Sequence, residues 1–118
     1  MAMISIEAKN FNNPDEVNEN FNNAKIESVN IRGQRVNKLT LQPAWKWSVD
    51  VQPNIGTDSC QASHLGLMIS GAICCVHDDG TEVIYRAGDA YSIAPGHDAW
   101  VVSDGVAVAY EFAGMWGE

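Results

Sequence analysis

From residue 26 onward, apolar and polar positions alternate with a period of two, the mark of half-buried strands. Ile26-Glu27-Ser28-Val29-Asn30-Ile31 passes through Arg32-Gly33-Gln34 into Val36-Asn37-Lys38-Leu39-Thr40-Leu41, which predicts an antiparallel pair. Gln42-Pro43-Ala44 interrupts, and alternation resumes over Trp45-Lys46-Trp47-Ser48-Val49-Asp50-Val51. That spacing places Trp45, Trp47, Val49 and Val51 on one face of a strand. Pro53-Asn54-Ile55-Gly56 reads as a turn. Leu65 to Val76 is the most apolar stretch, and Asp79-Gly80 beyond it predicts a two-residue hairpin into Glu82-Val83-Ile84-Tyr85-Arg86. Gly88-Asp89, Pro95-Gly96 and Asp104-Gly105 then punctuate three further runs, Ala90–Ile93, Trp100–Val102 and Val106–Phe112. Strands recurring at roughly eight to twelve residues, with no helical period after residue 25, predict an all-β sandwich or barrel.

The first quarter of the chain reads differently. Residues 1–9 suit a short edge strand, and residues 10–23 hold seven asparagines, which favour turns. Asn13 or Asp15 can cap a helical turn with Pro14 near its first position. Residues 1–25 are therefore expected to form an arm packing on a single barrel domain of residues 26–118.

Composition narrows the function classes. With 118 residues and 46% hydrophobic content the chain fits one globular domain. The net charge of −8 is uneven: residues 1–46 carry six bases and five acids, residues 47–118 one base, Arg86, and ten acids. An acidic body repels phosphate backbones, so no nucleic-acid partner is expected. No apolar run approaches the ~20 residues that span a bilayer, so no membrane partner is expected. The start meets Glu7 without a basic region, unlike a signal peptide, and the expectation is a cytoplasmic protein. Cys60, Cys74 and Cys75 make no Cys-x-x-Cys pair, and their odd number suits a reducing compartment. Cys74 and Cys75, adjacent on a predicted strand, point to opposite faces.

Ile69-Ser70-Gly71, the hairpin at Asp78-Asp79-Gly80 and the run Arg86-Ala87-Gly88-Asp89-Ala90-Tyr91-Ser92-Ile93-Ala94-Pro95-Gly96-His97 resemble the cupin superfamily, in its small single-domain members. The resemblance covers residues 36–112. It implies a double-stranded β-helix, the jelly-roll or cupin barrel, with a short N-terminal arm or helical turn. Trp45-Lys46-Trp47-Ser48, Cys60 to Gly66 and Pro95-Gly96-His97-Asp98-Ala99-Trp100 further resemble a group of short cupins. The superfamily spans enzymes, storage proteins and sensors, so fold does not give activity. The usual cupin metal set is two histidines one residue apart, a glutamate, and a later histidine. Counted back from Gly71, His64 falls where that glutamate stands, and the histidine positions fall near Asp58 and Cys60. His97 falls before the later position, near Ala99.

Cys60 and His64, four apart, share a face if they lie on one regular strand. Cys60, His64 and His97 are the candidate ligands of one divalent metal ion, Zn, Fe or Ni, geometry deciding among them. Asp58, Trp47, Met68, Tyr91, Asp98 and Trp100 are the candidate pocket residues. The alternative is a metal-free barrel in which His64 and His97 hydrogen-bond a small ligand for sensing or sequestration. A nucleophilic Cys60 with His64 as its base lacks an orienting third group in the sequence. Asp98 is expected to orient His97, to ligate, or to stabilise its turn, and His77 to be exposed in a hairpin. A small-molecule ligand is the expected partner, and exposed sheet edges predict a homodimer.

Overall fold

The computed structural model describes residues 4–113 and Trp116. Nine strands and two short helices follow one another: β1 Glu16–Asn18, β2 Ala24–Ile31, β3 Gln34–Leu41, α1 Trp47–Asp50, α2 Gln52–Ile55, β4 His64–Ser70, β5 Ala72–His77, β6 Glu82–Arg86, β7 Ala90–Ile93, β8 His97–Val101 and β9 Ala107–Ala113. They form an antiparallel six-stranded sheet, β1-β2-β3-β9-β4-β7, and a three-stranded sheet, β6-β5-β8. The architecture is the expected double-stranded β-helix. Leu39, Leu41, Met68, Ala107 and Ala109 of the larger sheet meet Ile73, Cys75, Ala99 and Val101 of the smaller in one core.

Turn chemistry fixes the register. β2 pairs with β3 out to Ile31↔Gln34, and Arg32 and Gly33 between them both have positive φ, 47° and 78°. That is the twist a two-residue hairpin needs. The loop after β5 is one residue longer than expected. His77 N–H donates to Thr81 O, and Gly80 N–H to His77 O, so Asp78, Asp79 and Gly80 form the loop. The apolar stretch Leu65–Val76 is two strands. Gly71, at φ 76°, turns the chain from β4 in the larger sheet to β5 in the smaller. A Cβ there would stand 2.7 Å from Ala107 Cα.

Trp45–Val51 corrects the period-two reading. Trp47 and Val51 are buried while Val49 is 63% exposed, which is helical spacing. The segment folds as α1 because carboxylates satisfy its first N–H groups. Asp50 Oδ2 accepts from Lys46 N–H and Asp98 Oδ1 from Ser48 N–H. Pro53 lies in the first turn of α2, and Gly56, at φ 86°, ends it, so the expected turn is a helix end.

Between residues 10 and 23, turns and the three-residue β1 stand in place of a helical turn. The asparagine side chains close those turns: Asn10 and Asn18 each accept from the backbone N–H two residues on. Residues 4–9 form no strand, and residues 1–3 of the expected edge strand lie outside the described residues. Phe11 packs 5.2 Å from the Tyr110 ring. Among the described residues no helix is long and apolar enough to cross a membrane.

Candidate metal and ligand site

Cys60, His64 and His97 converge. Sγ of Cys60 and one ring nitrogen of each histidine lie within 4.8 Å of one another, and all three side chains are buried. Cys60 is not on a strand with His64, because β4 begins at His64. An isolated backbone bridge holds it instead: Cys60 N–H donates to His97 O at 2.7 Å, and Gly96 N–H to Cys60 O at 2.7 Å. Gln61-Ala62-Ser63 then loops back and brings Sγ to 3.6 Å from His64 Nε2. His97 opens β8 directly after the Pro95-Gly96 turn. Its two-residue displacement from Ala99 preserves the inward face, and His97, Ala99 and Val101 are all buried.

Hydrogen bonds fix which nitrogen each imidazole presents. His64 Nδ1 is 2.8 Å from Glu111 Oε1, and His97 Nδ1 is 2.9 Å from the Ala94 carbonyl. Both acceptors demand N–H at Nδ1, so Nε2 of each ring is left to face the cluster. Glu111 is the member of this cluster missing from the sequence reading. It is 4% exposed, and its second oxygen accepts from the Tyr91 hydroxyl at 2.6 Å. Tyr91 and Glu111 stand opposite Gly66 on the strands that flank it, β7 and β9. A Cβ on Gly66 would lie 2.5 Å from the Tyr91 hydroxyl oxygen, so glycine is what lets these two side chains meet across β4.

The cluster separates charge. Burial alone would push the Cys60 thiol up, but the contacts from His64 and His97 and the Ala62 N–H outweigh it and bring the pKa down to about 6. Burial likewise disfavours a charged His64, yet Cys60 and Glu111 lift it to about 10. At neutral pH the pair is a thiolate facing an imidazolium, backed by a carboxylate.

Beside it lies a chamber of about 30 Å³ lined by Leu39, Leu41, Ile73, Ala99 and Ala109, by the aromatics Trp45, Trp47, Tyr85, Tyr91 and Trp116, and by Ile93, His64, His97 and Glu111. A groove of about 550 Å³ opens on the far side of Tyr85, Tyr91 and Ile93, which border both spaces. Tyr85 and Tyr91 stack at 4.4 Å.

Of the candidate pocket residues, Trp47 and Tyr91 line the chamber; Asp58, Met68, Asp98 and Trp100 are not among the described residues that do. Asp58 is exposed in the loop after α2. Met68 shares the inward face of β4 with His64 but is packed into the core. Asp98 ties β8 to α1 and also accepts from Ala99 N–H, so its role is structural. Trp100 falls on the opposite face of β8 from His97, with Lys46 Nζ 5.1 Å from its ring. His77, expected to be exposed, is half-buried, with Nε2 2.8 Å from the Pro95 carbonyl.

No family model matches the chain, and no curated protein does. Solved structures do. An RmlC-like cupin from Shewanella frigidimarina superposes with a TM-score of 0.56 at 13% identity, over 86% of each chain. The polyketide cyclase RemF from Streptomyces resistomycificus gives 0.64 at 10% identity, over 92% of this chain and 79% of its own. The Fe(II) form of HppE gives 0.63 at 7% identity, over 94% and 60%. Such identities show a shared fold, and that fold is the cupin barrel.

Proposed function

We propose that this cupin-fold chain holds one divalent metal ion through Cys60 Sγ, His64 Nε2 and His97 Nε2, and binds a small organic molecule at the remaining coordination position. The observation that carries this reading is the pre-set orientation of both imidazoles, each held through Nδ1, with His64 Nε2 3.6 Å from Cys60 Sγ. A carboxylate or carbonyl accepting from the far nitrogen is how proteins orient ligating histidines. The Cys60–His64 separation agrees. Ligands at ~2.3 Å for sulfur and ~2.05 Å for nitrogen around a tetrahedral zinc ion stand about 3.6 Å apart, and Cys60 Sγ is 3.6 Å from His64 Nε2.

The donor set favours zinc among the expected metals. Non-haem Fe(II) sites use two histidines and a carboxylate, whereas here both oxygens of the nearest carboxylate, Glu111, are occupied by His64 and Tyr91. One thiolate and two imidazoles suit a borderline-soft ion. Bound there, zinc would polarise an oxygen of the ligand or acidify a water. The chain's own residues orient and exclude: Glu111 holds His64, the Ala94 carbonyl holds His97, and the aromatic wall keeps bulk water from the chamber. Elemental analysis of protein prepared without a polyhistidine tag tests the reading. One equivalent of zinc is expected in the wild type and little in Cys60→Ala, His64→Ala or His97→Ala. Wild-type protein that takes up no more zinc than these variants would refute it.

A second reading is favoured by the Glu111–His64–Cys60 relay, which supplies the third group a nucleophilic thiolate requires. In it His97 helps hold the thiolate but neither takes its proton nor orients the base. A His97→Ala variant that still reacts with a small electrophile, at a higher thiol pKa, while losing zinc would select it. The homodimer is a further proposal. Leu65, Ile69 and Phe112 are exposed apolar residues on β4 and β9, and sedimentation of the purified chain reads the outcome.

A further inference from the structure

Trp45 and Trp47 are 3% and 1% exposed, yet neither indole N–H meets an acceptor among the described residues. Buried N–H groups are almost always paired with protein, water or ligand, and indole nitrogen can only donate. Both rings line the chamber that His64 and His97 also line. The other polar groups of this cluster are already committed: Glu111 accepts at both oxygens, and each histidine is held through Nδ1. What the chamber lacks is an acceptor.

We propose that the chamber is a subsite for a small carboxylate head group, received by the indole N–H groups of Trp45 and Trp47 beside the metal position. Its volume of about 30 Å³ has room for about two waters, or for a head of about three heavy atoms. The otherwise apolar lining of Leu39, Leu41, Ile73 and Ala99 strengthens hydrogen bonds to an anion by lowering the local dielectric. A longer carboxylate would leave its body in the 550 Å³ groove beyond Tyr85 and Tyr91. This subsite deepens the metal reading and rests on it for the ligand's reactive end, but its indole contacts exist without the metal.

Formate is the probe. In protein loaded with zinc and labelled with nitrogen-15 at tryptophan, formate should move two indole N–H resonances, those missing from Trp45→Phe and Trp47→Phe. The Trp100 signal, on the far face of β8, should stay still, and methylammonium should move none. Each phenylalanine variant, with zinc content unchanged, should bind formate about tenfold more weakly, as expected for one hydrogen bond to a charged acceptor. Formate binding with no movement of these resonances, or with wild-type affinity in both variants, would overturn the subsite and assign the two N–H groups to water. The zinc content of the same sample separates the two ideas: indole shifts without zinc uptake leave the subsite standing and remove the metal reading.

Discussion

Cys60 and Cys75 occupy the same core, 2% and 7% exposed, and have opposite chemistry. Burial pushes Cys75 up to about 12, so it is a neutral thiol filling space on β5. Burial acts on Cys60 too, but two histidines and a backbone N–H reverse it and bring the thiol down to about 6. The difference lies in the backbone. Cys75 sits within a regular strand between Val83 and Ala99, where its neighbours are side chains of a packed sheet. Cys60 sits on a single bridge next to a loop, where hydrogen-bond donors can turn toward sulfur. A low-dielectric interior makes a paired charge strong and an unpaired one prohibitive, and position relative to the ladder decides which.

The widest break in that contrast is His64→Ala. In metal-free protein the Cys60 thiolate absorbance should titrate with a midpoint near 6, and the variant should return it toward 9.0, about a thousandfold in acidity. The stability of the metal-free wild type follows from the same shifts. Cys60, depressed on folding, stabilises fully above 9.0 and loses its contribution as pH falls through about 6. His64, raised on folding, stabilises fully below 6.5 and loses its contribution as pH rises through about 10. Between 6.5 and 9.0 the pair holds one proton in either state, on His64 when folded and on Cys60 when unfolded. Denaturant midpoints should therefore be flat there and fall on both sides.

Removing a ligand, Cys60→Ala or His97→Ala, should weaken zinc, by competition with a chelator, by more than the ~100-fold that removing a ligand's hydrogen-bond partner costs at most. Glu111→Gln keeps the shape but removes the charge behind His64, and ~10–100-fold is expected. Gly66→Ala should cost about 1–3 kcal/mol in thermal denaturation, since its methyl group falls on the Tyr91 hydroxyl and the Tyr110 carbonyl. Cys75→Ala should cost about 1 kcal/mol through a small cavity, with zinc affinity unchanged. Were Cys75→Ala to disturb zinc as much as Glu111→Gln does, the two thiols would not be independent.

Much of the barrel is legible in the chain. Arg32-Gly33, Asp79-Gly80, Gly88-Asp89 and Pro95-Gly96 punctuate strands that the structure contains, because turn conformations constrain residue type directly. Trp45–Val51 misleads because alternate apolar residues fit a strand as well as one helical turn; the deciding carboxylate, Asp98, is distant in sequence. Cys60, His64 and His97 stand beside turns and are visible as a group. Glu111 is not, because β9 inverts the usual signal. Val108, Tyr110 and Phe112 face outward while Ala107, Ala109 and Glu111 face the core, where Trp45, Trp47 and Tyr91 already fill the space and small residues are required. An acid in phase with two buried alanines was the available clue.

The stacked pair of Tyr85 and Tyr91 carries one more consequence, concerning time. A partition made of side chains can open by a side-chain rotation, without any loop leaving its place. Tyr91 is pinned to Glu111, so the moving leaf is Tyr85, on the edge strand β6. Buried ring rotations are slower than the picosecond-to-nanosecond flips of exposed side chains, so exchange between chamber and groove through this ring is expected on that slower timescale.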